Sequence, residues 1–76
     1  MRRTFVVFFN AGMYGCEHHV IVLSEKDLEE TTGIDSLEKL AEIKAMNATE
    51  LDLTRVISDT VTELILHESM VIKGGP

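Results

Sequence analysis

The residues best suited to chemistry in this 76-residue chain are four consecutive side chains, Cys16-Glu17-His18-His19. A thiolate and an imidazole can bind zinc, and on a strand Cys16 and His18 share one face while His19 points away. His67 or a carboxylate would complete such a site. Zinc sites ordinarily carry paired ligands at both ends, and the sequence has no second pair. We therefore predict no cofactor; Cys16, His18 and His67 belong to the alternative, a metal-binding regulatory domain.

The same residues do not predict an enzyme. A cysteine nucleophile needs a base within hydrogen-bond reach, and His18 lies too far along the strand unless a bulge intervenes. The glycines of Asn10–Gly15 follow a strand, but a second strand rather than a helix comes next, which argues against a phosphate-binding loop. We expect a hairpin loop whose glycines have positive φ. Met13 and Tyr14 at its tip either form a contact site or fold back over the core.

Negative charge is concentrated in one part of the chain. Residues Glu25–Glu68 hold 12 of the 13 carboxylates and only four basic side chains, so the stretch has a formal charge of −8. Such a surface repels nucleic acid and lipid headgroups and attracts basic protein surfaces. The carboxylates are either a solvated surface or a row that imitates DNA phosphates at a basic protein groove. The residues predicted for this partner-binding acidic face are Glu29, Glu30, Glu38, Glu42, Asp59 and Glu63.

Length and composition bound the class of protein. A chain of 76 residues predicts one compact domain, residues 1–76, with a thin margin of stability. A lone cysteine favours a reducing compartment. The apolar run Phe5–Phe9 is too short for a secretory signal, and no stretch approaches a bilayer span. We expect a cytoplasmic protein that contacts neither membrane nor, with Arg2-Arg3 as its only basic pair, nucleic acid directly.

The elements that position these residues begin with a hairpin. Phe5–Phe9 and Cys16–Leu23 are rich in bulky β-formers and predict two antiparallel strands. Ser24 with Asp27 predicts the start of a short helix that ends near Gly33. A second helix, capped by Asp35 or Ser36, is expected to end at Asn47.

The remainder of the chain permits two interpretations. Apolar residues from Leu53 to Leu64 recur at spacings of three and four, which predicts a third, amphipathic helix capped near Thr49. The β-branched residues of the 60–66 segment could instead form a strand, and that choice stays open. Met70–Lys73 predicts a short closing strand. The fold class expected is therefore α+β: a small single-layer sheet, made of the hairpin and a C-terminal strand, packed with two or three acidic helices.

Both faces of the predicted hairpin are apolar, whereas a two-layer domain needs only one. Either helices cover both faces or the second face is an interface. A homodimer is the economical answer for a chain with a thin core. The residues predicted for partner or dimer contact are Val6, Phe8, Met13, Tyr14 and Ile21.

The strand pair Phe5–Leu23 followed by the carboxylates of Glu25–Glu68 resembles the very small acidic proteins that bacteriophages encode to bind and disable host machinery. The resemblance implies a non-enzymatic inhibitor, acting in the host cytoplasm by occlusion or by mimicry of a polyanion. Its target would be a nucleic-acid-handling or defence protein with a basic surface. The alternatives are a small metal- or ligand-binding regulatory domain and a structural subunit of a larger assembly.

Overall fold

The computed structural model of the chain describes residues 1–65, which form a three-stranded antiparallel sheet with helices on one side. Strand β1 (Arg2–Asn10) pairs with β2 (Cys16–Ser24) in a register that sets Val6 opposite Val20. A 3₁₀ turn at Gly12–Tyr14 connects them, as the hairpin prediction requires. Strand β3 (Ser58–Leu64) pairs with the other side of β1, so the strand order is β2-β1-β3.

Two helices follow the hairpin at the predicted places. Helix α1 (Glu25–Glu29) begins with a capping box, in which the Asp27 carboxylate accepts the Ser24 backbone N–H at 2.7 Å. This bond, a charge-assisted one, holds the pKa of Asp27 below its ordinary value. Helix α2 (Leu37–Ala48) begins at Ser36, whose hydroxyl accepts the Lys39 N–H at 3.2 Å. Gly33 between the helices has a φ of 87°.

The predicted third helix is wrong. Leu53–Arg55 is a single 3₁₀ turn, and the β-branched segment after it is the strand β3. The spacing of apolar residues suited a helix, but β1 offered a second hydrogen-bonding edge that this segment fills. Pairing Val61 directly against Val7 buries β-branched side chains on a pleated surface, where they pack well. The closing strand predicted at Met70–Lys73 lies outside the described residues.

The core lies between the helices and one face of the sheet. Alternate residues of β1 point into it, and Phe5, Val7 and Phe9 are fully buried. They meet the apolar side of α2 together with one residue of β2. The other members of this buried cluster are Leu23, Leu37, Leu40, Ala41 and Ala45. The domain is thus a mixed α+β fold with a small antiparallel sheet, as the sequence predicted.

The opposite face of the sheet has no helix on it within residues 1–65. We call it the open face, and nine side chains at the centre of the three strands define it. From β2 across β1 to β3 they form three rows: Val22, Thr4 and Leu64; Val20, Val6 and Thr62; His18, Phe8 and Thr60. Of the two apolar faces that the sequence predicts for the hairpin, the helices of residues 1–65 therefore cover one only, and Val6 and Phe8 on the other are half-buried.

Candidate functional site

The Cys16–His19 segment is divided between the two faces of β2. His19 points to the helix side, where its Nε2 lies 2.8 Å from Oε1 of Glu17. The Thr49 hydroxyl, at the end of α2, donates to the same carboxylate oxygen. Both contacts hold the pKa of Glu17 below its ordinary value, and the hydrogen bond from Thr49 has the larger effect. The cluster therefore joins the start of β2 to the end of α2, which is a structural role.

The described residues do not form the metal site that the alternative interpretation requires. Cys16 is an exposed free thiol, and His18 on the same face lies against the ring of Phe8, with the ring centroids 4.5 Å apart. Within residues 1–65 no group of three or more Cys, His, Asp and Glu is placed to hold a metal ion. His67, the third residue of that interpretation, lies outside the described part of the chain.

The hairpin loop has the backbone that its glycines predicted. Gly12 and Gly15 have φ values of 59° and 108°, and the Asn10 side chain accepts the Gly12 N–H at 2.9 Å. Met13 is almost fully exposed at the tip. Tyr14 is half-exposed and lies beneath Arg55, whose guanidinium carbon is 4.1 Å from the ring centroid. Of the two tip residues predicted as contacts, Met13 is thus exposed to solvent, whereas Tyr14 is held in place by Arg55.

Four of the predicted acidic residues lie on the helix side of the sheet. Glu38 and Glu42 lie on α2, whereas Asp59 and Glu63 lie on the helix-facing side of the edge strand β3. The neighbouring carboxyl group of Asp59, together with partial burial, raises the pKa of Glu42. Two carboxyl groups this close share a proton more readily than isolated ones, because both ionised together repel.

Glu63 has an opposite-charge partner that sequence reasoning missed. Arg3 on β1 donates from Nε and Nη2 to the two Glu63 carboxylate oxygens, at 2.7 Å and 2.8 Å. This bidentate pair holds the pKa of Glu63 below its ordinary value. The sequence does indicate the position of Arg3: because side chains alternate between the two faces of a strand, Arg3 lies on the same face of β1 as Phe5. The position of β3 that brings Glu63 beside it was the missing information.

An acidic cleft lies where α1, the start of α2 and the sheet meet. Its volume is about 540 Å³, and Arg3 is the single basic side chain among the residues that line it. Glu29 and Glu38, both predicted for the partner-binding face, line this cleft, whereas Glu30 does not. The other lining residues are Glu25, Leu28, Asp35, Ser36 and Leu37.

The open face gathers two of the predicted contact residues and separates a third from them. Val6 and Phe8 lie on it, and their cross-strand neighbours there are Val20 and His18. Ile21 lies on the opposite, helix-covered face, so it does not belong with Val6 and Phe8. The sequence missed Leu64 as a member because the choice between helix and strand for residues 60–66 was open, and the pairing of this segment with β1 was not predicted.

Comparison with protein-family models, with curated proteins and with solved structures finds no match to this chain. Among the described residues, no helix has the length and apolar character needed to cross a bilayer. Two surfaces are candidates for a functional contact: the acidic helix side, which carries the acidic cleft, and the open face.

Proposed function

We propose that this chain is a non-enzymatic protein-binding domain that docks its acidic helix side on a basic surface of a larger protein. The observation that carries the proposal is the segregation of charge. All 12 carboxylates of residues 1–65 lie on the helices, on the loops or on the helix-facing positions of the strands, and the open face holds none. A solvated surface that served solubility alone would have no need to keep one face free of acid.

The acidic cleft gives this docking a geometric centre. A partner's lysine or arginine side chain fits a cleft of about 540 Å³, and the lining carboxylates Glu25, Glu29, Asp35 and Glu38 surround it with acceptors. Arg3 offsets the negative charge of the cleft only in part, because four carboxylates line it and Glu63 also binds the Arg3 guanidinium in a bidentate pair. The net charge of −6 adds long-range attraction to a basic partner and speeds the encounter.

The partner class follows from the resemblance to small acidic phage inhibitors. A protein that handles nucleic acid, or one that acts in defence, presents a groove that accepts phosphates, and a row of carboxylates can occupy it. The domain would then act by occlusion in the host cytoplasm and would need no catalytic residue. No metal site enters this mechanism.

The test is capture of partners from bacterial lysate by the tagged full-length chain, at about 50 mM and 500 mM salt, followed by identification by mass spectrometry. Electrostatic docking weakens steeply as salt rises. We expect a basic protein that is retained at low salt and released at high salt, and that loses its bound DNA when the chain is added.

A pair of charge-matched variants locates the surface. The double substitution Glu29→Gln/Glu38→Gln removes two charges from the acidic cleft. Glu50→Gln/Asp52→Asn removes the same charge from the exposed segment between α2 and β3, and asparagine keeps the side-chain acceptor that caps the Leu53–Arg55 turn. We expect the first variant to lose the partner and the second to retain it. Equal losses in both would reduce the effect to net charge and contradict the assigned surface.

A further inference from the structure

The open face carries two properties that the acidic docking does not use. It is apolar at its centre, where Val20, Val22 and Leu64 are 65%, 50% and 43% exposed and Val6 and Phe8 lie between them. It also holds no carboxylate in a chain of formal charge −6. Contiguous apolar surface of this kind on a small domain marks a place that something covers.

We propose that a second copy of this chain covers the open face, sheet against sheet, across a two-fold axis. The inference goes beyond the proposed function and does not depend on it. The result would be a four-layer particle, helices–sheet–sheet–helices, with an acidic helix side exposed at each end. Each protomer would keep its own acidic cleft free for a partner.

The area of the sheet is compatible with such a contact. The three strands are paired together over the seven positions Thr4–Asn10, and at a strand spacing of about 4.8 Å they present a plane of about 14 by 24 Å. Two such planes amount to about 670 Å² before the relief of the side chains is counted, which suits a reversible contact better than a permanent one. A single buried layer of this size also supplies the second core that a chain of 76 residues lacks.

The charge of the chain favours contact between two copies through the open face. Two copies, each of formal charge −6, repel one another at any contact made through the helix side. Sheet-against-sheet packing holds the two helix layers about 30 Å apart, since each pair of adjacent layers is separated by about 10 Å. That distance is more than three Debye lengths at physiological salt, about 8 Å each. Within residues 1–65, the open face is thus a surface through which two copies can meet with little repulsion.

Other occupants of the open face are a basic protein or another segment of the same chain. A basic protein would be drawn to the carboxylates and not to a face without them. The four polar side chains of the open face surround Val6: Thr60 and Thr62 lie on the edge strand β3, His18 lies at the loop end, and Thr4 lies in the row at the opposite end. An apolar centre with such a rim is the anatomy of a protein–protein contact. The remaining competitor is residues 66–76 of the same chain, and the oligomeric state separates that case from a dimer.

The test is sedimentation velocity of the full-length chain from about 1 to 300 μM, with two aspartate variants of matched exposure. Val20→Asp places a charge at the centre of the open face, and Ile57→Asp places one outside it, at sites 65% and 73% exposed in the single chain. Both positions are solvated before assembly, so neither substitution should unfold the monomer; circular dichroism checks this.

We expect the natural chain and Ile57→Asp to sediment as dimers. Val20→Asp should be monomeric, with a dissociation constant raised about a hundredfold or more, because an unpaired charge would be buried in the contact. A natural chain that stays monomeric at every concentration overturns the inference, as does a Val20→Asp variant that still dimerises.

Salt separates this inference from the proposed function. Raising salt from about 50 to 500 mM should leave the dimer unchanged or strengthen it, since screening weakens the repulsion between two acidic copies. The same change should release a basic partner. A dimer lost at high salt would contradict the apolar contact, whereas a chain that dimerises but captures no salt-sensitive partner would contradict only the acidic docking.

Discussion

The two faces of the sheet are built from alternate residues of the same three strands, yet they end in different surroundings. On one side Phe5, Val7 and Phe9 are sealed by α2. On the other, Val6 and Phe8 are half-buried among neighbours that remain exposed. By hydrophobicity alone β1 offers the helices little reason to prefer either face.

The neighbouring strands make the difference. On the helix side β2 contributes Ile21 and Leu23, and β3 contributes Val61, all packed with the core cluster. On the open face β2 contributes the smaller side chains Val20 and Val22, and the β3 positions are Thr60, Thr62 and Leu64. The helices therefore cover the face with the larger apolar volume, and the face left open is the one best able to tolerate partial exposure. Such a surface suits a reversible contact better than a permanent core.

The largest effect expected from this comparison concerns its two phenylalanines. Phe5→Ala removes a fully buried ring and should cost about 3–5 kcal/mol, close to the whole stability of a chain this short. Phe8→Ala, measured at micromolar concentration where a dimer is least populated, should cost less, about 1–2 kcal/mol, because part of the Phe8 side chain is already exposed to solvent in the single chain. Urea unfolding followed by circular dichroism gives both values. Equal losses would mean that one chain covers both of its own faces.

Local signals in the sequence predicted the hairpin and both helices. Ser24 with Asp27, and Ser36, are caps whose hydrogen bonds form within one helical turn. The strand β3 could not be predicted in the same way, because Val56, Val61 and their neighbours fit a helical period as well as a strand. What decides between them is pairing with β1, which lies about 50 residues earlier in the sequence.

The register of the hairpin was the second quantity beyond local reasoning. Asn10 pairs with Cys16 across the loop, so even-numbered residues of β1 and β2 share a face. A pairing shifted by one residue would have set Val6 and Phe8 beside Ile21 instead of Val20. The membership of the open face depends on this parity. The acidic face was predictable in composition, but its pairing with Arg3 was not, because that pairing needed the position of β3.

The next largest effect uses two adjacent arginines that point to opposite faces. Arg3→Met keeps much of the side-chain stem but removes both hydrogen bonds to Glu63, and should lower the midpoint of urea unfolding. Arg2→Met, one residue earlier and exposed, should change the unfolding midpoint little.

The pH dependence of the Arg3→Met effect follows from Glu63. The pKa of this carboxyl group is lower in the folded chain than its ordinary value of 4.5, so the pair stabilises the fold above that pH. The stabilisation is lost as pH falls through the folded pKa. The difference between the natural chain and Arg3→Met should therefore shrink in acid. A difference that persists in acid would assign the effect to the contact between the Arg3 guanidinium and the Phe5 ring, whose centroid lies 5.6 Å from the guanidinium carbon.

The smallest effect concerns the crowding that follows when all carboxylates are kept off the open face. Glu42 and Asp59 lie together on the helix side, and the pKa of Glu42 is raised by this contact. The folded chain therefore binds a proton at Glu42 more tightly than the unfolded chain does. The stability that protonated Glu42 contributes is present in acid and is lost as pH rises above the ordinary glutamate range. Glu42→Gln should increase stability at pH 7 by a few tenths of a kcal/mol, the size of a surface charge interaction.

The control for Glu42→Gln is Glu38→Gln, one turn earlier on α2. Glu38 lies near Arg3, which it attracts, so removing its charge should not stabilise the chain. Thermal unfolding at pH 4 and pH 7 measures both variants, and the gain from Glu42→Gln should be confined to the higher pH. A gain of equal size from both substitutions would point to relief of the net charge of −6, and not to the Glu42–Asp59 contact. A gain from Glu42→Gln alone would show that the fold accepts local repulsion on the helix side, which is the expected cost of keeping the open face free of charge.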